Sequence, residues 1–308
     1  LKDAIGIIRS VCDTPIVLGG NIITNDAEFI FNDLKPDYAV VGEGEEGIVR
    51  LAGTPLSLAS SGELRERTIY SRPYENFDEL PFPDYEPFGI SDILDNYSMA
   101  TRVLYRYSRP YPRPFNLVAA RACPFACTFC IHGYRKIKYR ARSIENIMAE
   151  IKDSYERYKF NILIILDELF AVNNARLRQF SLAVLDGRKQ FGWDFDWCFQ
   201  THASAAFDKE ALDLAKKAGC YLFSYGLESA SPVVLESMNK KTKIAQVIEA
   251  INLAKEAKIG FSGNLIFGDP AETDETIAES LTFWLQHCRG AFVFLSYVTP
   301  YPGSKIFE

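Results

Sequence analysis

No run of about 18 apolar residues occurs in the 308-residue chain, so it offers no helix of the length and character that crosses a membrane. Basic residues are not in excess. Lys and Arg number 34 against 40 Asp and Glu, and a net charge of −6 with a pI near 5.3 argues against bulk nucleic-acid binding. The chain does not open on a secretory signal pattern. It carries no low-complexity tract and no short internal repeat beyond a strand–helix rhythm. Its seven cysteines form no disulfide framework. Their total is odd, and Cys12, Cys198, Cys220 and Cys288 are scattered, which points to a reducing cytoplasm. What is present suits a globular protein. At 48% apolar the chain can bury a sizeable core, and its length suits one large domain or one and a half ordinary ones. Both ends read as cut. Ala4, Ile7, Ile8 and Val11 share one face of a helix at the very start, and a Pro-Gly turn close to Glu308 has the pattern of a new helix. The chain is therefore expected to be a fragment of a longer protein.

Three segments are expected. Residues 1–52 show a short strand at 15–18 running into Gly19-Gly20, a helix at 26–34 and a strand at 38–41, which is a βαβ unit of the doubly wound kind. Over 53–113 regular periodicity fades, and prolines at 73, 81, 83, 87, 110 and 112 mark an irregular connector. From 114 to 308 strand and helix alternate. Strands are expected at 115–120, 161–166, 195–202, 221–226, 261–267 and 291–298. Ser143, Asp208, Thr242 and Thr273 open intervening helices. Six strands with five helices between them demand an α/β parallel sheet with right-handed crossovers.

One motif carries the chemistry. Cys123, Cys127 and Cys130 stand in C-x3-C-x2-C spacing within Arg-Ala-Cys-Pro-Phe-Ala-Cys-Thr-Phe-Cys. Three thiolates on one short loop can hold three irons of a four-iron cluster, and the fourth iron then lacks a protein ligand. An open coordination position is what makes a metal site catalytic rather than structural. The alternative is a zinc knuckle with His132 as fourth ligand. In parallel α/β barrels the active site lies at the C-terminal ends of the strands. That rule selects the cysteine loop, Asp167-Glu168, Gln200-Thr-His202, Gly226-Leu-Glu228-Ser229, Gly268-Asp-Pro270 and the segment following residue 298.

The cysteine spacing, with Phe129 before the last cysteine, resembles the cluster loop of the radical S-adenosylmethionine (SAM) enzymes. The six-strand alternation resembles their partial (β/α)6 barrel. Gly226-Leu-Glu-Ser-Ala-Ser-Pro through Lys240, Gly268-Asp-Pro-Ala-Glu-Thr273 and Pro-Tyr-Pro-Gly-Ser304 resemble later motifs of the family, with Ala271 and Ala122 in place of usual glycines. The resemblance implies a [4Fe-4S] cluster on Cys123, Cys127 and Cys130, with SAM chelated at the open iron. Phe129, Asp167, Glu168, Gln200, Glu228, Ser229 and Lys240 would surround SAM. A carboxylate at 167–168 suits the SAM ammonium. Helix capping is the plain alternative for Asp167, and a surface lysine for Lys240. His202 sits where relatives carry arginine, and is either a proton donor or acceptor or a satisfied partner at the rim. The implied partners are a small-molecule substrate and a reductant protein such as flavodoxin or ferredoxin.

Ile16-Val-Leu-Gly-Gly20 and Asp37 through Glu45 resemble the second half of the Rossmann-like cobalamin-binding domain fused to one subgroup of these enzymes, which implies cobalamin near Gly19, Gly20, Gly42 and Glu43. The Asp-x-His-x-x-Gly motif of many relatives is absent. The resemblance then implies methyl transfer, with radical ring closure or rearrangement as the second reading and a non-catalytic cluster- or zinc-binding module as the third. Gly42-Glu-Gly44-Glu-Glu-Gly47 formally matches a dinucleotide fingerprint, but its glutamates would repel a pyrophosphate. Arg102, Arg106, Arg109 and Arg113 interleave with Tyr105, Tyr107 and Tyr111. This pattern suits single-stranded nucleic acid or, more simply, arginines paired with nearby carboxylates.

Overall fold

The computed structural model describes residues 1–53, 64–101, 107–131 and 138–308. Arg102, Tyr105, Arg106 and His132 lie outside the described residues. The chain divides into two compact units. Residues 1–75, 129–134 and 300–308 form one, and residues 76–128 and 135–299 form the other.

The first unit holds a three-stranded parallel sheet in the order β1 (Val17–Leu18), β2 (Tyr38–Val41), β3 (Thr68–Tyr70). Helices α1 (Lys2–Val11), α2 (Asn21–Asn25), α3 (Ala27–Leu34), α4 (Gly44–Ala52) and α5 (Leu64–Arg67) accompany it. The single helix expected at 26–34 is in fact two. Asp26 leaves helical geometry and caps α3 through the Phe29 N–H. β3 lies in the segment expected to be irregular. At three residues it is too short to show a period, yet Thr-Ile-Tyr has strand composition and pairs with β2.

The second unit is built on six parallel strands in the order β4 (Pro114–Leu117), β7 (Ile162–Ile165), β8 (Asp196–Thr201), β9 (Cys220–Glu228), β10 (Gly260–Phe267), β11 (Phe292–Tyr297). The two end strands do not pair, so the barrel is open. Its proline opens the edge strand β4, where the missing N–H costs no central ladder bond. β5 (Ala120–Arg121) and β6 (Arg140–Ala141) pair antiparallel and form the neck of the cysteine-bearing excursion. Helices α7 (Ile144–Tyr158), α8 (Asn174–Phe191), α9 (Lys209–Lys217), α10 (Pro232–Ser237), α11 (Ile244–Glu256) and α12 (Asp274–His287) follow the strands. The hydroxyls of Ser143 and Thr273 and the carboxylate of Asp208 cap α7, α12 and α9. α11 begins at Ile244, not Thr242, because the Thr242 hydroxyl is turned to His202. α6 (Ile90–Thr101) also falls within the expected connector. Ile90, Ile93 and Leu94 have helical spacing, and Leu94 reaches the core.

Burial alternates along the strands. In β8 Trp197, Phe199 and Thr201 are buried under the helices, whereas Asp196, Cys198 and Gln200 face the lumen and are less covered. The core therefore lies between sheet and helices. It is rich in aromatic contacts, such as Trp197 on Phe180 at 4.9 Å and Phe115 on Phe160 at 5.0 Å. This rigid outer layer fixes the strand ends on which the candidate site stands.

Candidate active site

Beyond β4 the chain passes through β5 into the cysteine loop. Ala122, directly before Cys123, adopts φ +67°, a left-handed backbone that explains why glycine is usual there. Cys123, Cys127 and Cys130 are each half-buried. Cys123 and Cys127 belong to the second unit; Phe129 and Cys130 fall within residues 129–134 of the first. The loop is anchored to the turn after α10. The Thr128 N–H donates to the Met238 carbonyl at 3.0 Å, and the Asn239 amide donates to the Ala126 carbonyl at 2.7 Å. Asn239 is itself left-handed at φ +51°, a conformation asparagine tolerates better than most residues. Lys240 follows it.

Lys240 and Glu228 form a buried ion pair at 2.9 Å, each side chain 7% exposed. β9 continues past the expected end at 226 because its ladder with β10 shifts register. Asn264 pairs with Gly226 and Leu265 with Glu228, leaving Leu227 as a bulge. Glu228 takes φ +63° there and turns back over Gly226, where any Cβ would overlap the Glu228 carboxylate and the Lys240 ammonium. One carboxylate oxygen of Glu228 is buried without a hydrogen bond.

At the end of β7, Asp167 is buried and its Oδ1 accepts the Ala119 N–H at 2.7 Å. Burial raises its carboxyl from 3.8 to about 7, against the pull of the Ala120 and Ala119 amides and of Arg176 and Arg142. Its Oδ2 has no hydrogen-bond partner. Asp167 caps no helix: α8 begins seven residues later and is capped by Asn173. Glu168 follows it, half-buried.

Two expected site residues have other employment. The Ser229 hydroxyl is 3.1 Å from that of Ser280 and accepts the Ser231 N–H, so it closes the turn into α10. His202 is buried, its Nδ1 accepts the Ser204 N–H at 3.2 Å, and its Nε2 lies 3.1 Å from the Thr242 hydroxyl. Burial and the nearby Lys240 ammonium push it down to about 3, so it stays neutral at working pH. Both ring nitrogens thus have partners, the arrangement of the satisfied-partner alternative. The sequence reading also missed Phe125, which stacks on the His202 ring with centroids 3.9 Å apart and props the cysteine loop against the end of β8. Its only sequence signal is an aromatic inside the C-x3-C spacing.

In the first unit Gly20 and Gly42 have φ +84° and +101°. Gly19 and Gly20 are exposed just after β1. Gly42 has a local cause: a Cβ there would lie 2.6 Å from the Ser71 carbonyl oxygen. Glu43 and Glu46 accept the N–H groups of Tyr74 and Arg72, which leaves that run no phosphate cradle. Among the described arginines of the connector, Arg109 pairs with Asp194 at 2.7 Å and Asp196 at 2.9 Å, and Arg113 pairs with Asp95. That is the carboxylate-pairing alternative.

The donor set of the cysteine loop suits a cluster. Three cysteines stand on one short loop, and a four-iron cluster takes each thiolate on a different iron. No three His, Cys, Asp or Glu side chains among the described residues are grouped to hold a single metal ion. No helix among the described residues is long and apolar enough to cross a membrane.

Comparison with known proteins places these features. The sequence model of the radical SAM superfamily matches residues 117–283, more than half of the chain. An uncharacterized methyltransferase of Pyrococcus horikoshii is 29% identical over 308 residues, covering 95% of this chain and 62% of its own length. An anaerobic magnesium-protoporphyrin IX monomethyl ester cyclase of Cereibacter sphaeroides is 29% identical over 276 residues, covering 88% of this chain and 44% of its own. The radical SAM methyltransferase TsrM of Kitasatospora setae, solved with cobalamin and a [4Fe-4S] cluster, superposes with a TM-score of 0.73 at 18% identity, over 99% of this chain and 59% of that one. This chain thus spans about three-fifths of the first relative's length.

Proposed function

This chain belongs to the radical SAM superfamily, and we propose that it is the core of a cobalamin-linked radical SAM methyltransferase. Cys123, Cys127 and Cys130 would hold the cluster. Bound there, a [4Fe-4S] cluster supplies the electron that cleaves SAM to a 5′-deoxyadenosyl radical, which takes hydrogen from an unactivated carbon. The observation that carries the reading is the meeting of cysteine loop and charged pair. The turn that clamps the loop through Asn239 is the turn that presents Lys240 to Glu228.

The residues of this chain then have separable tasks. The Lys240 ammonium has donors beyond the one given to Glu228 and can take the SAM carboxylate. The unengaged Glu228 oxygen can accept a ribose or amino group. Asp167 offers a buried carboxyl whose second oxygen lacks a donor, which suits an ammonium. Phe125 on His202 holds the loop in place. Gly19 and Gly20 leave the end of β1 open for a cobalamin tail, and TsrM, a structural neighbour, is described as a cobalamin-bound methyltransferase. The cyclase relative favours a second reading, radical ring closure without methyl transfer.

The test is anaerobic reconstitution of the full-length protein with iron and sulfide, followed by dithionite and SAM. Formation of 5′-deoxyadenosine, abolished in Cys127→Ala, is expected. A fully loaded cluster that yields none with substrate present would refute the reading. S-adenosylhomocysteine with a methylated product separates methyl transfer from ring closure, which yields deoxyadenosine alone.

A further inference from the structure

The lumen of the second unit's open barrel encloses a cavity of about 530 Å³, within the range of about 300–1,000 Å³ common to small-molecule sites. Two features limit what it can hold. The first is charge. No Lys, Arg or His is among the described residues that line it, and its one carboxyl is Asp167 at the upper edge. Arg109 and Arg113, nearby in the chain, are engaged by Asp194, Asp196 and Asp95. Against the described lining, an anionic ligand would leave water with no counter-charge to meet it, which is strongly unfavourable.

The second feature is hydrogen bonding. Gln200, Ser224 and Ser262 are in register across β8, β9 and β10 and form one rung facing the cavity. Their side chains make no hydrogen bond to any described residue, although Ser262 is only 4% exposed. Gln200 is exposed and Ser224 half-buried, so the rung presents neutral donors and acceptors to a ligand's polar group in the lumen. Most of the remaining lining is apolar or aromatic, and includes Tyr107, Tyr221, and Ile90 and Leu94 of α6.

We propose that this lumen binds an uncharged, mainly apolar substrate bearing a neutral hydroxyl, carbonyl or amide group, held by the Gln200–Ser224–Ser262 rung with its apolar body against the apolar and aromatic lining. The inference rests on the proposed radical reaction at the strand ends above and adds to it the chemical class of the substrate.

A matched pair of fluorescent probes tests it on the full-length protein. 1-Aminoanthracene is uncharged at neutral pH, and anthracene-1-carboxylate carries the same rings with an anion. One equivalent of the amine should bind, with the carboxylate at least about tenfold weaker. Ser262→Phe should fill the rung and weaken amine binding by about tenfold or more. Ser262→Lys should reverse the preference by supplying the missing counter-charge. Equal or tighter binding of the carboxylate by the unmodified protein would overturn the inference, whatever the variants do. So would amine binding untouched by a Ser262→Phe protein whose circular dichroism is native. Deoxyadenosine formation is measured alongside. Its absence with the probe preference intact would count against the reaction, whereas its presence with the preference reversed would remove this inference alone.

Discussion

Replacing Asp167 with Asn separates the energetics of the strand-end carboxyl from everything around it. The wild-type carboxyl is raised from 3.8 to about 7, chiefly by burial. Each pKa unit corresponds to about 1.4 kcal/mol, so the folded state bears a penalty of about 4 kcal/mol once the group is fully ionised. The sign follows from proton binding. Below pH 3.8 both states are protonated and the stability is complete. Between 3.8 and about 7 the unfolded chain has released its proton while the folded chain retains it, so this contribution is lost as pH rises, and above 7 it is gone. Asparagine does not titrate and keeps an acceptor for the Ala119 N–H. Its amide can itself be poorly satisfied, so the absolute stability of the variant decides nothing. The decisive quantity is wild-type minus variant stability, from urea denaturation at intervals between pH 4 and 8. That difference should fall by about 4 kcal/mol, with most of the change below pH 7. A flat difference, or one that rises with pH, would show that the carboxyl is solvated or paired with a cation, and the case for a site awaiting an ammonium would go with it.

The remaining predictions concern the same rim. Lys240→Met leaves the Glu228 carboxylate buried and uncompensated and should cost about 3–5 kcal/mol, most of it recovered in Lys240→Met/Glu228→Gln; a single-variant loss below about 1 kcal/mol in urea denaturation would mean the pair is wet. Ala122→Gly should stabilise the protein by about 0.5–1 kcal/mol, since relief of left-handed strain at φ +67° outweighs the added freedom of the unfolded chain. A lower melting temperature for that variant would show that Ala122 is not left-handed in solution.

Much of the second unit was legible in the sequence for definite reasons. Continuous apolar runs such as 162–165 announce parallel strands, and Ser143, Asp208 and Thr273 stand where caps must stand. The strand-end rule selected Asp167, Glu228 and the cysteine loop without side-chain information. What escaped was short or non-local. β3 has three residues and exists through its pairing with β2. α6 has helical spacing, but prolines on either side of it masked the signal, although none falls within it. The bulge at Leu227, the Phe125–His202 stack and the Asn239 clamp depend on partners far away in sequence, which no local period can report. His202 shows the opposite case. Histidine at a strand end suggests proton transfer, but burial and Lys240 hold it neutral and two neighbours occupy its ring nitrogens.

Backbone strain divides in a way that bears on the site. Among the described residues, seven other than glycine have positive φ. Lys35 and Lys159 are helix C-caps and Lys258 lies just past α11, where a left-handed residue is ordinary and a lysine complements the helix dipole. Of the other four, Ala206 closes a short 3-10 turn and Asn239 lies just past α10, whereas Ala122 and Glu228 stand at strand ends. Ala122 admits the chain to the cysteine loop, Glu228 ends the bulge, and Asn239 joins the loop clamp to Lys240. Left-handed alanine or glutamate costs about 1–2 kcal/mol each and persists only where the surroundings over-determine it. The buried Lys240–Glu228 pair, the Asn239 amide on Ala126 and the ladder on both sides of the bulge supply that over-determination. The rim is therefore set in place before any ligand arrives: its carboxylates and ammonium are aimed by backbone that would relax elsewhere if the barrel wall beneath it were not rigid.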